Sequence, residues 1–466
     1  MITICYLTKN SDQKYSTYLK KSCGIKNCDV IEIIDDTKNA SKIYNRIINE
    51  SKNNIIVFCE ENLEFDNGWG YKILKHFEKN QDFGIIGKVG VKYIPKDGNW
   101  LCNDMSEAIG QINIKKNKIK YNEPFGNKII DVIVVDGVFL CIDKNRIKNT
   151  FDETINETNF LSVDFCFQNF LNGVKIGVIS NFDITREIET IIDEKWEEQK
   201  NVFANKFKSE LPKIIPYQYN IKPINNKQPL VSILMPVYNY GNRINHTLNS
   251  VFNQNYTNFE IIMVDDGSTD EYIKNKLKLL EKVERIKIFY KENGGPSSAR
   301  NLAFRHSNGN FILPLDSDDM IKNDFIKICV DILQKNDYIS PVYCDAHHIG
   351  QMTGIEKKPE WTPERLIKGP FIANCSIFHR VAFEKINGYD ESLKGWEDYD
   401  FWLRMMNEGY VGKRIPKDLF VYYHHEDDGS INSFVEKNKH ESYQKIIRKN
   451  FRIENDRLHI EIKKIK

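Results

Sequence analysis

Residues 261–270 read Ile261-Ile-Met-Val-Asp-Asp-Gly-Ser-Thr-Asp270, and residues 313–319 read Leu313-Pro-Leu-Asp-Ser-Asp-Asp319. Each is an apolar run of strand length that stops at carboxylates and turn-forming residues. Runs of the same kind recur outward in both directions, each followed by a polar or Gly-bearing turn and a helical pattern. In the first half they cover 2–7, 30–34, 54–59, 83–87, 129–135 and 175–179; in the second, 230–236, 259–264, 286–290 and 310–315. The alternation predicts α/β domains with largely parallel, doubly wound sheets. In such sheets ligands sit at the carboxyl ends of strands, so polar residues there matter most.

The two halves share a rhythm. Each opens with a strand, reaches an acidic turn (Asp35-Asp36, Asp265-Asp266), and then has an apolar strand ending in Glu60-Glu61-Asn62 or Asp316-Ser317-Asp318-Asp319. A diverged duplication is the simplest account. Between the halves, 189–211 has helical spacing and heavy charge, and Pro212, Pro216, Pro223 and Pro229 then interrupt regular structure. The expected division is therefore 1–188, a linker at 189–228, a second domain at 229–434 and a helical basic tail at 435–466, with ten basic and five acidic residues in the tail.

Bulk properties agree with several domains, since 466 residues exceed one ordinary core. Sixty-six basic residues against 65 acidic ones create no global field for nucleic acid. The ten cysteines show no Cys-x-x-Cys pair, which points to reduced thiols rather than zinc sites. The first residues leave no room for a signal peptide's apolar core, and no apolar run approaches the ~20 residues of a membrane span. A cytoplasmic protein is expected, with the basic tail as the place for any peripheral contact at the inner face of a membrane.

Four strand ends and one helix carry the chemistry. Val231-Ser-Ile-Leu-Met-Pro-Val-Tyr-Asn239 stops at Pro236, Tyr238 and Asn239. Asp265 and Asp266 can bond a base or ribose, although Asp, Gly and Ser are also turn residues. In Asn293-Gly-Gly-Pro-Ser-Ser-Ala-Arg300, Gly294 permits close backbone approach, and Arg300 can reach a base or phosphate or merely cover its helix. Two carboxylates one residue apart, Asp316 and Asp318, can grip a hard divalent cation. Glu397 and Asp398 open a helix in Gly395-Trp-Glu-Asp-Tyr-Asp400, where the dipole explains acids and a general base is the functional alternative. His424 and His425 follow a short strand.

These segments, in this order, resemble the family-2 glycosyltransferases of GT-A fold over roughly 229–432. The resemblance implies a UDP-sugar donor, with Pro236, Asp266 and Arg300 at uridine-contacting positions. Tyr238, Asn239, Asp265, Gly294 and Ser317 would line the same nucleotide-sugar site. Asp316 and Asp318 match the Asp-x-Asp pair that holds Mn²⁺ or Mg²⁺; His425 matches a histidine that completes the metal site, with His424 open as the alternative. Asp398 matches the base and Glu397 shapes the acceptor side, so the implied reaction is an inverting displacement.

The first half resembles a glycosyltransferase-like GT-A subgroup over about 1–185. The residues are Ile33-Ile-Asp-Asp36, Tyr44-Asn45, Ile56-Val-Phe-Cys-Glu-Glu-Asn-Leu63, Trp69, Gly84-Ile-Ile-Gly87, Val135-Asp-Gly-Val138 and Val163-Asp-Phe165. Here the Asp-x-Asp position has become Glu60-Glu61-Asn62. A degenerate or acceptor-binding domain is expected; a second site would use Asp36, Glu61 and Asp164, making a bifunctional enzyme. A non-catalytic sugar- or nucleotide-binding scaffold is the reading from another class. The acceptor is open among glycan, lipid-linked saccharide and protein Ser/Thr. The Asn-, Ile- and Lys-rich composition suggests bacterial surface polysaccharide or flagellin glycosylation as the setting.

Overall fold

The computed structural model describes residues 1–8, 13–34, 40–100, 108–110, 112–114, 128–155, 158–186, 194–216, 219–239, 243–350, 352–424, 439–454 and 457–459. Two units follow one another along the chain, Met1–Pro216 and Tyr217–Lys466.

The first unit is built on a seven-stranded sheet. Its order is Ile129–Val132, Lys175–Ile179, Phe83–Gly87, Phe139–Asp143, Ile55–Glu60, Ile2–Thr8 and Asp29–Ile34. Ile2–Thr8 runs parallel to both of its neighbours. Phe139–Asp143 lies antiparallel between Ile55–Glu60 and Phe83–Gly87. Sequence pattern does not reveal that strand's direction, because a strand buried on both faces is simply a continuous apolar run. The 129–135 run divides: Ile129–Val132 pairs in the main sheet, and Val134–Val135 pairs with Val89–Val91.

Much of the expected linker belongs to this unit. The helix Glu194–Lys206 and the residues after it bury Trp196, Phe203, Phe207 and Leu211 in the first core. The Trp196 ring lies 5.3 Å from Phe160, and Phe203 and Phe207 lie 5.4 and 4.8 Å from Phe167, on the helix Thr158–Leu171. The aromatic positions form an apolar stripe in a strongly charged helix, which is how a surface helix docks. Farther on, Tyr219 and Ile221 pack against the second unit's core.

In the second unit a five-stranded sheet runs Ile286–Tyr290, Phe259–Asp265, Val231–Val237, Phe311–Pro314, Phe378–His379. The first four strands are parallel and the last is antiparallel. Period-2 alternation divides their side chains between two cores. Val231, Ile233, Met235, Ile261 and Met263 enter one, while Leu234, Ile262, Val264 and Ile312 enter the other. A second sheet runs Met320–Ile321, Val411–His424, Ile339–Gly350, Gly354–Glu356. The tail helix Lys439–Asn450 places Ile446 and Ile447 in the same core as Tyr399, Phe401 and Trp402. Among the described residues no helix is long and apolar enough to cross a membrane.

Candidate functional site

Because the four parallel strands of the second unit point the same way, their carboxyl ends meet along one edge. At Phe259–Asp265 the chain turns sharply: Gly267 takes a left-handed φ of 79°, and a Cβ there would lie 2.7 Å from the Asn293 amide nitrogen. Asp265 Oδ1 accepts from the Ser268 amide at 3.0 Å. Asn239 Oδ1 accepts from the amides of Thr269 and Asp270 at 2.8 and 3.1 Å, so this residue clamps the turn to the neighbouring strand end.

Asp266 is buried and builds a loop. Its Oδ1 accepts from Lys291 Nζ at 2.7 Å and from the Gly294 amide at 2.9 Å; Oδ2 accepts from the Gly295 amide at 2.7 Å. Both of its oxygens thus accept hydrogen bonds within the protein. It shapes the Gly294-Gly295 loop that opens the helix Pro296–Arg305. Pro236 is half-buried at its strand end, and Tyr238 beside it is exposed.

Arg300 sits on that helix and is only 3% exposed. Its Nη2 donates to Asp316 Oδ1 at 2.7 Å and its Nη1 to Glu397 Oε1 at 2.8 Å. The Asn374 amide, oriented by its hydrogen bonds, accepts from Arg300 Nε and Nη2 at 3.2 and 3.1 Å and donates to Tyr389 Oη at 2.8 Å. Burial alone would push the Arg300 pKa down, but the charges of Asp316 and Glu397 overcome it and hold the guanidinium protonated. Rather than covering its helix or facing outward, this arginine ties the Asp-x-Asp pair to the Glu397-Asp398 pair.

One guanidinium faces several carboxylates. Burial raises the pKa of Asp316, against the pull of Arg300. Asp319, buried behind the pair, is driven far up by burial and by Asp318 and Asp316. Asp398, at the head of the helix Glu397–Asn407, is pushed up to about 7 by burial and by Glu397. Burial first, and the neighbouring carboxylates second, disfavour the charged forms of these acids, and a divalent cation bound here would favour them. Asp316 and Asp318 are both half-buried, and Ser317 between them points inward, its carbonyl accepting from Thr247 Oγ1 at 2.9 Å. Among the described residues no three metal-ligating side chains converge.

Met320–Ile321 pairs antiparallel with Val411–His424, which brings the end of the latter past the carboxylates; the Tyr423 amide donates to Asp319 Oδ1 at 3.5 Å. His424 Nε2 lies 2.7 Å from His348 Nδ1, and His348 Nε2 lies 3.0 Å from Glu356 Oε2. His425 lies outside the described residues.

The first unit handles its corresponding positions differently. Asp36 lies outside the described residues, and Glu61 is half-buried. Glu60 at the strand end accepts from Arg186 Nε at 3.1 Å and Nη2 at 3.3 Å, and burial pushes its pKa up to about 7 against that arginine. Asp164 is fully buried, with Lys206 Nζ 2.6 Å from Oδ1 and Gln168 bonded to Oδ2.

Internal alignment explains this placement. Val163-Asp-Phe165 aligns with Tyr399-Asp-Phe401, and nine residues beyond each aspartate stands a left-handed glycine, Gly173 (φ 81°) and Gly409 (φ 91°). Asp164 therefore corresponds to Asp400 rather than to Asp398. Leu161 and Ser162 occupy the positions of Glu397 and Asp398. Sequence reading missed this register, as it missed Asn374, Tyr389 and Asp400; the repeated Asp-Phe and glycine spacing was the available signal.

Comparison with known proteins agrees with two related units. Residues 232–386 match the sequence model of glycosyl transferase family 2, and residues 7–208 match that of a glycosyltransferase like family. Residues 370–428 also match a model described as the N-terminal domain of galactosyltransferase. Among curated proteins, hyaluronan synthase of Pasteurella multocida is 26% identical over 298 residues, 62% of this chain and 31% of that protein. An uncharacterized glycosyltransferase of Rickettsia typhi is 34% identical over 199 residues, 40% of this chain and 62% of that protein. This chain thus spans less than two thirds of either relative. A crystal structure of S. aureus TarS 1–349 in complex with UDP-GlcNAc aligns with a TM-score of 0.39 at 23% identity, covering 44% of this chain and 61% of that one.

Proposed function

We propose that this chain, whose second unit carries a family-2 glycosyltransferase domain, moves a hexosyl or N-acetylhexosaminyl group from a UDP-sugar to an acceptor hydroxyl with inversion. The observation that carries the reading is the junction of Asp316, Arg300, Glu397 and Asp398 at one edge of the sheet, with Asp398 poised near neutral pH. A base with a pKa near the working pH combines the right protonation state with driving force for proton transfer.

In this account Asp398 takes the proton of the acceptor hydroxyl as its oxygen bonds to the anomeric carbon, and the bond from that carbon to the diphosphate oxygen breaks, releasing UDP. Arg300 holds Glu397 in place beside the base and Asp316 at the strand end. The Asp266-held Gly294-Gly295 loop presents a helix N-terminus, a favourable place for phosphate. Asp318, the free oxygen of Asp316 and His425 are the residues that would hold Mn²⁺ or Mg²⁺. When bound, the metal supplies positive charge against the departing diphosphate.

The acceptor classes are glycan, lipid-linked saccharide and protein hydroxyl. The similarity to a hyaluronan synthase favours a glycan, in surface polysaccharide assembly at the cytoplasmic side of a membrane. For the first unit we favour a non-transferring, acceptor-binding role over a second active site. Leu161 and Ser162 offer no base, and Arg186 occupies the carboxylate at its Asp-x-Asp position. Incubating the chain with UDP-sugars and candidate acceptors tests this: the reading requires UDP release that EDTA stops and Mn²⁺ restores, and a product of inverted anomeric configuration by NMR. Retained configuration or free monosaccharide phosphate would count against it.

A further inference from the structure

Late in each unit a helix carries a lysine that ties two aspartates together. In the second unit Lys449 Nζ lies 2.6 Å from Asp390 Oδ2 and 2.9 Å from Asp400 Oδ1, and Asn450 Nδ2 donates to Asp400 Oδ1 at 2.8 Å. In the first unit Lys206 Nζ lies 2.6 Å from both Asp152 Oδ2 and Asp164 Oδ1. The residue four positions after each buried aspartate completes the clasp: Arg404 Nε donates to Asp400 Oδ2 at 2.7 Å, and Gln168 bonds Asp164.

In the second unit the clasped segment carries the two acids of the candidate site. Asp390 and Asp400 flank residues 391–399, which include Glu397 and Asp398. Within that segment Gly395 (φ 99°) and Trp396 (φ 56°) are both left-handed, and Trp396 immediately precedes the helix. A left-handed tryptophan persists only where its surroundings hold it. Asp400, fully buried, is the fixed point: its amide donates to the Trp396 carbonyl at 3.1 Å, and its carboxylate meets Arg404, Lys449 and Asn450. Lys449 also holds Asp390 below the usual carboxylate range despite burial.

We propose that Lys449 is a positioning residue for transfer: by joining Asp390 to Asp400 it closes the 391–399 segment and sets the direction in which Asp398 is presented. The tail helix thereby becomes part of the catalytic apparatus without touching substrate. This inference rests on the reading of Asp398 as the base. Loss of the clasp lets the head of the helix shift, and a displacement of about 1 Å at a reacting group costs on the order of 100-fold in rate.

The test uses the full chain with Lys449→Met, Lys449→Arg and Asp398→Asn, measuring kcat, donor KM and the affinity for UDP with Mn²⁺. For Lys449→Met the expected result is a fall in kcat of about 10- to 100-fold at unchanged donor KM and UDP affinity, with Lys449→Arg recovering most of it. Unchanged kcat would overturn the proposal, as would a joint loss of kcat and UDP affinity that arginine fails to rescue. If Lys449→Met does not fold, Asp390→Asn cuts one arm of the clasp alone and is read by the same split. Undiminished transfer by Asp398→Asn would instead defeat the underlying reading of the base.

Discussion

Arg300 Nη1 lies 2.8 Å from Glu397 Oε1, although 97 residues of chain separate them, and the same guanidinium reaches Asp316 Oδ1 at 2.7 Å. One buried cation thus links the strand end that carries Asp316 to the helix that carries Asp398, the proposed base. Removing it leaves Asp316 and Glu397, both half-buried, without their shared counter-charge. Arg300→Met is expected to cost about 1–3 kcal/mol of stability, since the guanidinium is buried while its carboxylate partners keep some access to water. Arg300→Lys is expected to recover only part, since a point charge replaces a planar fork. Thermal unfolding of both variants checks this.

Asp398 gives a pH signature. Its pKa is raised to about 7, and a general base works only when deprotonated. Transfer should therefore fall as pH drops through about 7 and level off above it. Asp398→Asn should remove this limb and lower kcat by roughly 10²- to 10⁴-fold. A pH–rate profile of both proteins reads the two effects together.

Asp164 should matter for stability and not for transfer. Its carboxylate is buried against Lys206 and Gln168. Asp164→Ala leaves Lys206 bound to Asp152 alone and is expected to cost about 1–3 kcal/mol. UDP release per folded molecule should stay at the parent value, and a selective loss of transfer would speak for a working site in the first unit.

The sequence shows the strand runs, the acidic turns and the Asp-x-Asp position because these depend on local pattern. Val231–Val237 and Phe259–Asp265 alternate between two cores, and that period is written in the residues themselves. What stays hidden depends on partners distant along the chain. Phe139–Asp143 is antiparallel, and no local pattern encodes direction. Asp266 has the same chemistry whether it faces a nucleoside or the Gly294 and Gly295 amides. The Glu194–Lys206 helix reads as charged, yet Trp196 and Phe203 anchor it in the first core. That Asp164 corresponds to Asp400 is plain only once the Lys206 and Lys449 clasps, made by residues 42 and 49 positions away, are seen to match.

The most direct test of the account is transfer by Asp318→Ala, measured as acceptor-dependent UDP release with Mn²⁺ present. With one metal-using site in the second unit, release should fall to the rate seen without protein while the variant remains folded. Sustained release that EDTA does not stop would contradict the account, placing transfer in the first unit or removing the metal from the chemistry.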